Sequence, residues 1–101
     1  MRLKMAFCIR NSLHYINENW QTRADVALES VIAVTKAFNN GETLGYCKAR
    51  IESVTAIGLS QKAQMYLYMA SQTNRKKDFS QAAFRALESQ REFIKELGAK
   101  K

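Results

Sequence analysis

Proline is absent from this chain, and glycine occurs only four times. Proline interrupts helix interiors and marks many loops and sheet edges, so its absence permits long helices joined by plain turns. Histidine occurs once and cysteine twice. Two cysteines so far apart, Cys8 and Cys47, make neither a disulfide framework nor a zinc signature; they are expected as buried or half-buried thiols in a reducing compartment, with a single bridge as the alternative. No apolar run approaches the ~20 residues of a membrane span. The start, Met1-Arg2-Leu3-Lys4, is basic. Asn11 and Ser12 interrupt the stretch after it, which lacks both the apolar core and the small-residue cleavage site of a signal peptide. A cytoplasmic protein with no membrane partner is the expectation.

The residues that are present suit a globular protein. Hydrophobic residues make up 47% of the 101 positions and charged residues 25%, and Ala, Leu, Glu, Gln, Lys and Arg favour helices. A chain of this length can bury one core, so one helical domain over residues 1–101 is expected. The net charge is +7, from 16 Lys and Arg against 9 acids. The excess is local: Arg2 and Lys4 at the start, the run Arg75-Lys76-Lys77, and Lys100-Lys101 at the end. Without those seven, nine bases face nine acids. The expected body is neutral, with charge on two tails and one loop.

The periodicity predicts an all-α, compact single-domain bundle of about five short helices. The first runs from about Leu3 to Glu18, with Met5, Ile9, Leu13, Ile16 and Trp20 at helical spacing. Leu3, Met5, Phe7 and Ile9 also alternate, as in a short strand, but the helical pattern continues well beyond them. A second helix is expected from a Thr22 cap, with Ala24, Leu28, Val31, Ile32, Thr35 and Phe38 inward and a stop at Asn39-Asn40-Gly41. A third begins at Thr43, carries Leu44, Cys47, Ile51, Val54 and Ile57, and is expected to end on a left-handed Gly58. Ser60 caps a fourth, followed by a polar turn from Gln72 to Lys77. The fifth starts at Asp78 or Ser80, with Phe79 and Phe84 as a hydrophobic staple around Ser80. Ala83, Leu87, Gln90, Ile94 and Leu97 form its inner stripe, Gly98 ends it, and 98–101 are expected as a frayed basic tail. Leu28, Val31, Ile51, Val54, Leu67, Leu87 and Ile94 are the expected core.

Catalytic chemistry finds little support. His14 has no nucleophile near it in sequence, so an ordinary partly buried or surface histidine is expected. Glu88, Glu92 and Glu96 share a helix face and could hold a cation, but Arg85, Arg91 and Lys95 sit among them, as on a solvated face. Gly41 and Gly45 lack the spacing and the Lys-Ser or Lys-Thr of a phosphate loop. No catalytic, metal or cofactor site is assigned, and the chain is expected not to be an enzyme.

Two binding readings remain. Around Gly58, residues 50–67 resemble a helix-turn-helix, with Gln61, Lys62 and Gln64 at the start of the second helix. The stretch departs from that pattern at Val54, where a small residue is usual, and at Gln64, where an apolar one is. In an up-and-down bundle Arg2, Lys4, Arg75, Lys76 and Lys77 would meet at one end and attract phosphates; a solvated loop and tail give the same charge count. The fourth helix favours a protein partner. Ala63, Tyr66, Leu67 and Ala70 can face a core while Met65, Tyr68, Met69 and Gln72 project elsewhere, unless the bundle encloses the helix on all sides. The expected function is therefore a non-enzymatic helical adaptor, inhibitor or assembly subunit. It would dock onto another protein or a second copy of itself through Met65, Tyr68, Met69 and Gln72. The alternative is a small DNA- or RNA-binding accessory protein using Arg2, Lys4, Gln61, Lys62, Arg75, Lys76 and Lys77.

Overall fold

The computed structural model describes residues 2–54 and 56–99, with side chains described from Trp20 onward. The described residues form four α-helices and no strand: α1 (Arg2–Asn39), α2 (Leu44–Glu52), α3 (Gln61–Gln72) and α4 (Lys76–Ala99). None is long and apolar enough to cross a membrane.

The count is four rather than five because the first two expected helices are one. α1 runs for 38 residues through Trp20, Gln21 and Thr22 without a break. Nothing in that stretch forces one, since it holds neither glycine nor proline. A Thr side chain caps a helix only where the chain enters it from an extended conformation. Thr22 lies inside α1 and is not a cap, and the backbone over residues 3–9 is helical, not strand.

The stop after α1 follows a Schellman pattern. The Gly41 N–H donates to the Phe38 carbonyl at 3.1 Å and the Glu42 N–H reaches back to Ala37 at 3.1 Å. Gly41 takes φ 90°, a conformation open chiefly to glycine. Thr43 then caps α2, its hydroxyl accepting from the Tyr46 N–H at 3.1 Å. α2 ends at Glu52, before the expected Ile57. β-Branched and hydroxyl residues crowd positions 53–55 and weaken the helix there. Gly58 is therefore not a helix cap. It sits in the connection between α2 and α3 with φ 92°, and a Cβ on it would lie 2.4 Å from the Arg23 carbonyl oxygen of α1. Glycine lets the connection lie directly on the α1 backbone.

Ser60 caps α3 as expected, accepting from the Ala63 N–H at 3.0 Å. α4 starts at Lys76, earlier than Asp78 or Ser80, and the Phe79 N–H already donates to the Arg75 carbonyl at 2.9 Å. The staple does not form. Phe79 and Phe84 lie in one helix, five residues or about 140° apart around its axis. Phe79 is fully buried, with its ring 5.1 Å from that of Phe38, while Phe84 is exposed. α4 continues through Gly98 to Ala99, so these two are helical rather than frayed, and Lys100 and Lys101 lie outside the described residues.

The core is built on alanine. Ala24, Ala27, Val31 and Val34 of α1 are buried at spacings of three, four and three. Ala27, Val31 and Val34 share one packed cluster with Ala82, Ala83 and Ala86 of α4 and with Ala63 and Ala70 of α3. Of the expected core, Val31, Ile51 and Leu67 are buried, while Leu28, Val54, Leu87 and Ile94 are half-buried. The inner face of α1 is turned toward Ala27 and Val34 and away from Leu28, Ile32 and Thr35. Small side chains bring helix axes close, and the larger residues then flank the contact.

Gln90 is the one buried polar residue among those described. Its amide N–H groups donate to the Gly58 carbonyl at 2.8 Å and the Ala24 carbonyl at 3.1 Å, and its carbonyl accepts from the Ser60 N–H at 3.0 Å. One side chain thus joins α4 to α1 and to the connection before α3. It satisfies the backbone groups that the glycine turn leaves without helical partners.

Candidate functional site: the outer face of α3

The inward residues of α3 are Ala63, Leu67 and Ala70, all buried, with Tyr66 half-buried beside them. Leu67 fixes the opposite face by helical geometry. At about 100° per residue, Met65 and Met69 lie about 160° to either side of it, and Lys62 and Gln72 about 140°. All four are exposed. Met65 retains 65% of its accessible surface and Met69 54%, and Tyr68 beside them retains 67%. Among the described residues, none covers this face of α3. The stripe itself is uncharged apart from Lys62 and α3 contains no acidic residue, while Asp78 and Arg85 of α4 adjoin Met69.

A groove runs between α3 and α4. Tyr66 and Arg85 line its middle. Toward one end it is bounded by Met69, Thr73, Asp78 and Gln81. Toward the other lie Ser60, Gln61 and Lys62 on one side and Glu88, Glu92, Phe93 and Glu96 on the other. Glu88 pairs with Arg85 at 3.5 Å, both about half exposed, an arrangement of little energetic weight on a helix surface. No group of three potential metal ligands occurs among the described residues. The side chain of His14 lies outside them.

Of the expected basic patch, the side chains of Arg2 and Lys4 lie outside the described residues. Arg75, Lys76 and Lys77 are exposed at the start of α4. Phe38, near the C-terminal end of α1, lines a shallow apolar depression with Lys76, Lys77, Ser80 and Phe84. Arg2 and Lys4 belong to the other end of α1, and a helix of 38 residues is about 57 Å long. Merging the first two helices sets the two basic segments at opposite ends. Lys48 of α2 does approach the basic turn, donating to the Asn74 side-chain carbonyl at 3.3 Å.

The helix-turn-helix likeness also fails on geometry. Residues 53–60 separate α2 from α3, longer than the tight turn of that unit. Gln61, Lys62 and Gln64 are exposed, but Gln64 bends back to donate to the Leu59 carbonyl at 3.2 Å.

Cys47 is fully buried and unbridged, and the side chain of Cys8 lies outside the described residues. Burial pushes the Cys47 thiol pKa upward, the Glu42 carboxylate adds to this, and Arg50 opposes it. A thiol so placed is a poor nucleophile.

Sequence reasoning missed several exposed apolar side chains, Phe84, Val26 and Ile57 among them. Phe84 is recovered by counting five residues from Phe79 once α4 is started at Lys76. No protein-family model matches the chain, and comparison with curated proteins and with solved structures finds no similar protein.

Proposed function

We propose that this chain is a non-enzymatic binding protein, an adaptor, inhibitor or assembly subunit, that docks onto another protein chain through Met65, Tyr68, Met69 and Gln72 of α3. The observation that carries the reading is the exposure of three large side chains, more than half open in each case, on one face of a helix whose other face is fully packed. Contiguous apolar surface of this kind costs solubility unless something covers it. Methionine and tyrosine suit such contacts because they are large, adaptable and only partly apolar. The buried thiol of Cys47 is compatible with a reducing, cytoplasmic setting.

Tyr68→Ala separates docking from folding. Tyr68 gives the core little, so the variant should melt within about 2–3 °C of the wild type, a loss below ~0.5 kcal/mol. Association should weaken by more than ~2 kcal/mol, about thirty-fold, if Tyr68 anchors the contact. Capture from a host lysate after nuclease treatment should be lost with it. A large fall in melting temperature with unchanged association would remove the reading.

The second reading, a nucleic-acid accessory protein, now rests on Arg75, Lys76 and Lys77, with Lys48 nearby. Three exposed cations on one turn attract phosphates without sequence preference.

A further inference from the structure

We infer that the partner of the α3 face is a second copy of this chain, packed as an antiparallel helix pair about a two-fold axis at the level of Leu67. The inference rests on the docking role proposed for that face and specifies its occupant.

The exposed stripe is Lys62, Met65, Met69 and Gln72, with spacings of three, four and three. This is the seam spacing by which two helices interlock side chains. The stripe is also symmetric about position 67. In an antiparallel pair centred there, Met65 of each copy meets Met69 of the other, and Lys62 meets Gln72, whose side-chain carbonyl can accept from the ammonium. Two such apolar contacts and two such polar ones form at once, as a self-complementary interface requires. Tyr68, at the edge of the stripe, covers the methionines from the side.

Charge permits this occupant. The protein as a whole carries +7, but the stripe itself carries only Lys62, and the α4 side chains across the groove, Arg85 with Asp78, Glu88, Glu92 and Glu96, include both signs. Antiparallel pairing holds the two Lys62 positions about 15 Å apart along the axis, beyond the ~8 Å screening length at physiological salt. Parallel pairing would set them side by side.

Area sets the expected strength. A fully exposed side chain of this size offers about 200 Å², so exposures of 65, 67 and 54% leave roughly 370 Å² uncovered on the three large residues. A stable pair covers ~800 Å² per partner, so these residues supply nearly half and the polar rim must supply the rest. A micromolar dimer is expected, not a permanent one.

Sedimentation velocity on the full chain, with Met65→Lys and Met69→Glu as separate variants, tests this. Both positions are exposed on a helix, so circular dichroism and melting should match the wild type. Wild type should sediment as a dimer at about 100 µM. Each variant alone should dimerise at least ten-fold more weakly, because a charge then faces a methionine across the axis. An equimolar mixture should recover the dimer, since the introduced ammonium of one chain then meets the introduced carboxylate of the other while the remaining methionines pair. Failure of the mixture to recover would overturn the antiparallel register. A wild type that stays monomeric would overturn the dimer itself. A host protein bound by that monomer and lost with Met65→Lys would then leave the docking role standing with a different occupant; no such loss would remove both.

Discussion

Replacing Gln90 with Leu tests how the helices are held in register. The substitution keeps an apolar stem of similar length and removes all three hydrogen bonds. Ala24 stays inside α1, where its carbonyl retains the helical partner, so its loss is small. The Gly58 carbonyl and the Ser60 N–H have no helical partner to fall back on. Each orphaned buried group costs about 1–3 kcal/mol, or about 2–6 together. The leucine recovers about 1–2 kcal/mol, because it need not desolvate an amide. The net cost is about 1–4 kcal/mol out of a total stability on the order of 5–15. For a chain of this size that is a fall in melting temperature of roughly 5–30 °C, read by far-ultraviolet circular dichroism. Gln90→Glu should be worse at neutral pH, since a carboxylate cannot donate to two carbonyls. Burial and those carbonyls would raise its folded-state pKa above the unfolded value. The stability of that variant should therefore recover as pH falls through the raised folded pKa and decline as pH rises through it. A Gln90→Leu protein melting within about 2 °C of the wild type would mean that water replaces the amide and that the register is set by packing alone.

Gly58→Ala should cost about 2–4 kcal/mol by urea denaturation, because its Cβ would meet the Arg23 carbonyl oxygen and φ 92° suits only glycine. Gly45→Ala, with nothing within 4 Å, should instead stabilise α2 by about 0.5–1 kcal/mol. In a Cys8→Ser background, Cys47 should react with a thiol reagent only as fast as the protein opens. Because burial raises its folded-state pKa, stability should be full below the ordinary thiol value of 9.0 and decline as pH rises above it; Cys47→Ala should remove that alkaline slope. Changing Arg75, Lys76 and Lys77 together to Gln should weaken any nucleic-acid binding alike on all sequences and flatten its salt dependence by up to about three phosphate contacts. Wild-type protein without salt-sensitive binding in a filter or anisotropy assay would end the nucleic-acid reading.

Local chemistry makes part of this fold readable in advance. Thr43 and Ser60 cap helices, and Asn39-Asn40-Gly41 ends one, because each acts on backbone groups within a few residues. Leu67 and the outward set of Met65, Tyr68 and Met69 follow from periodicity in a short helix with clear ends. Thr22 misleads because a capping residue is informative only if the helix stops, and nothing around it requires a stop. Ile57 and Gly58 mislead for a different reason. The positive φ is legible, but its cause is contact with Arg23, 35 positions earlier, and not the end of α2. Phe79 looks like a flanking residue only while the basic run before it passes for a loop. Alanine carries too little hydrophobic signal for Ala27, Ala82 and Ala86 to stand out beside Leu28 and Leu87. The groove at Tyr66 and Arg85 depends on how α3 meets α4, which no local pattern contains.

The alanine interior also changes which positions can vary. In a core filled by leucine or phenylalanine, the large residues are constrained and a shortened side chain leaves a void. Here half of the buried apolar residues are alanines with almost nothing left to shorten, and any enlargement at Ala24, Ala63, Ala83 or Ala86, all fully buried, must push their surroundings apart. The larger neighbours Leu28, Leu87 and Ile94 sit where solvent can absorb a change in shape. Related sequences should then diverge most at their bulky half-buried sites and least at their smallest residues, so that similarity judged by large hydrophobic positions would underestimate kinship among chains sharing this architecture.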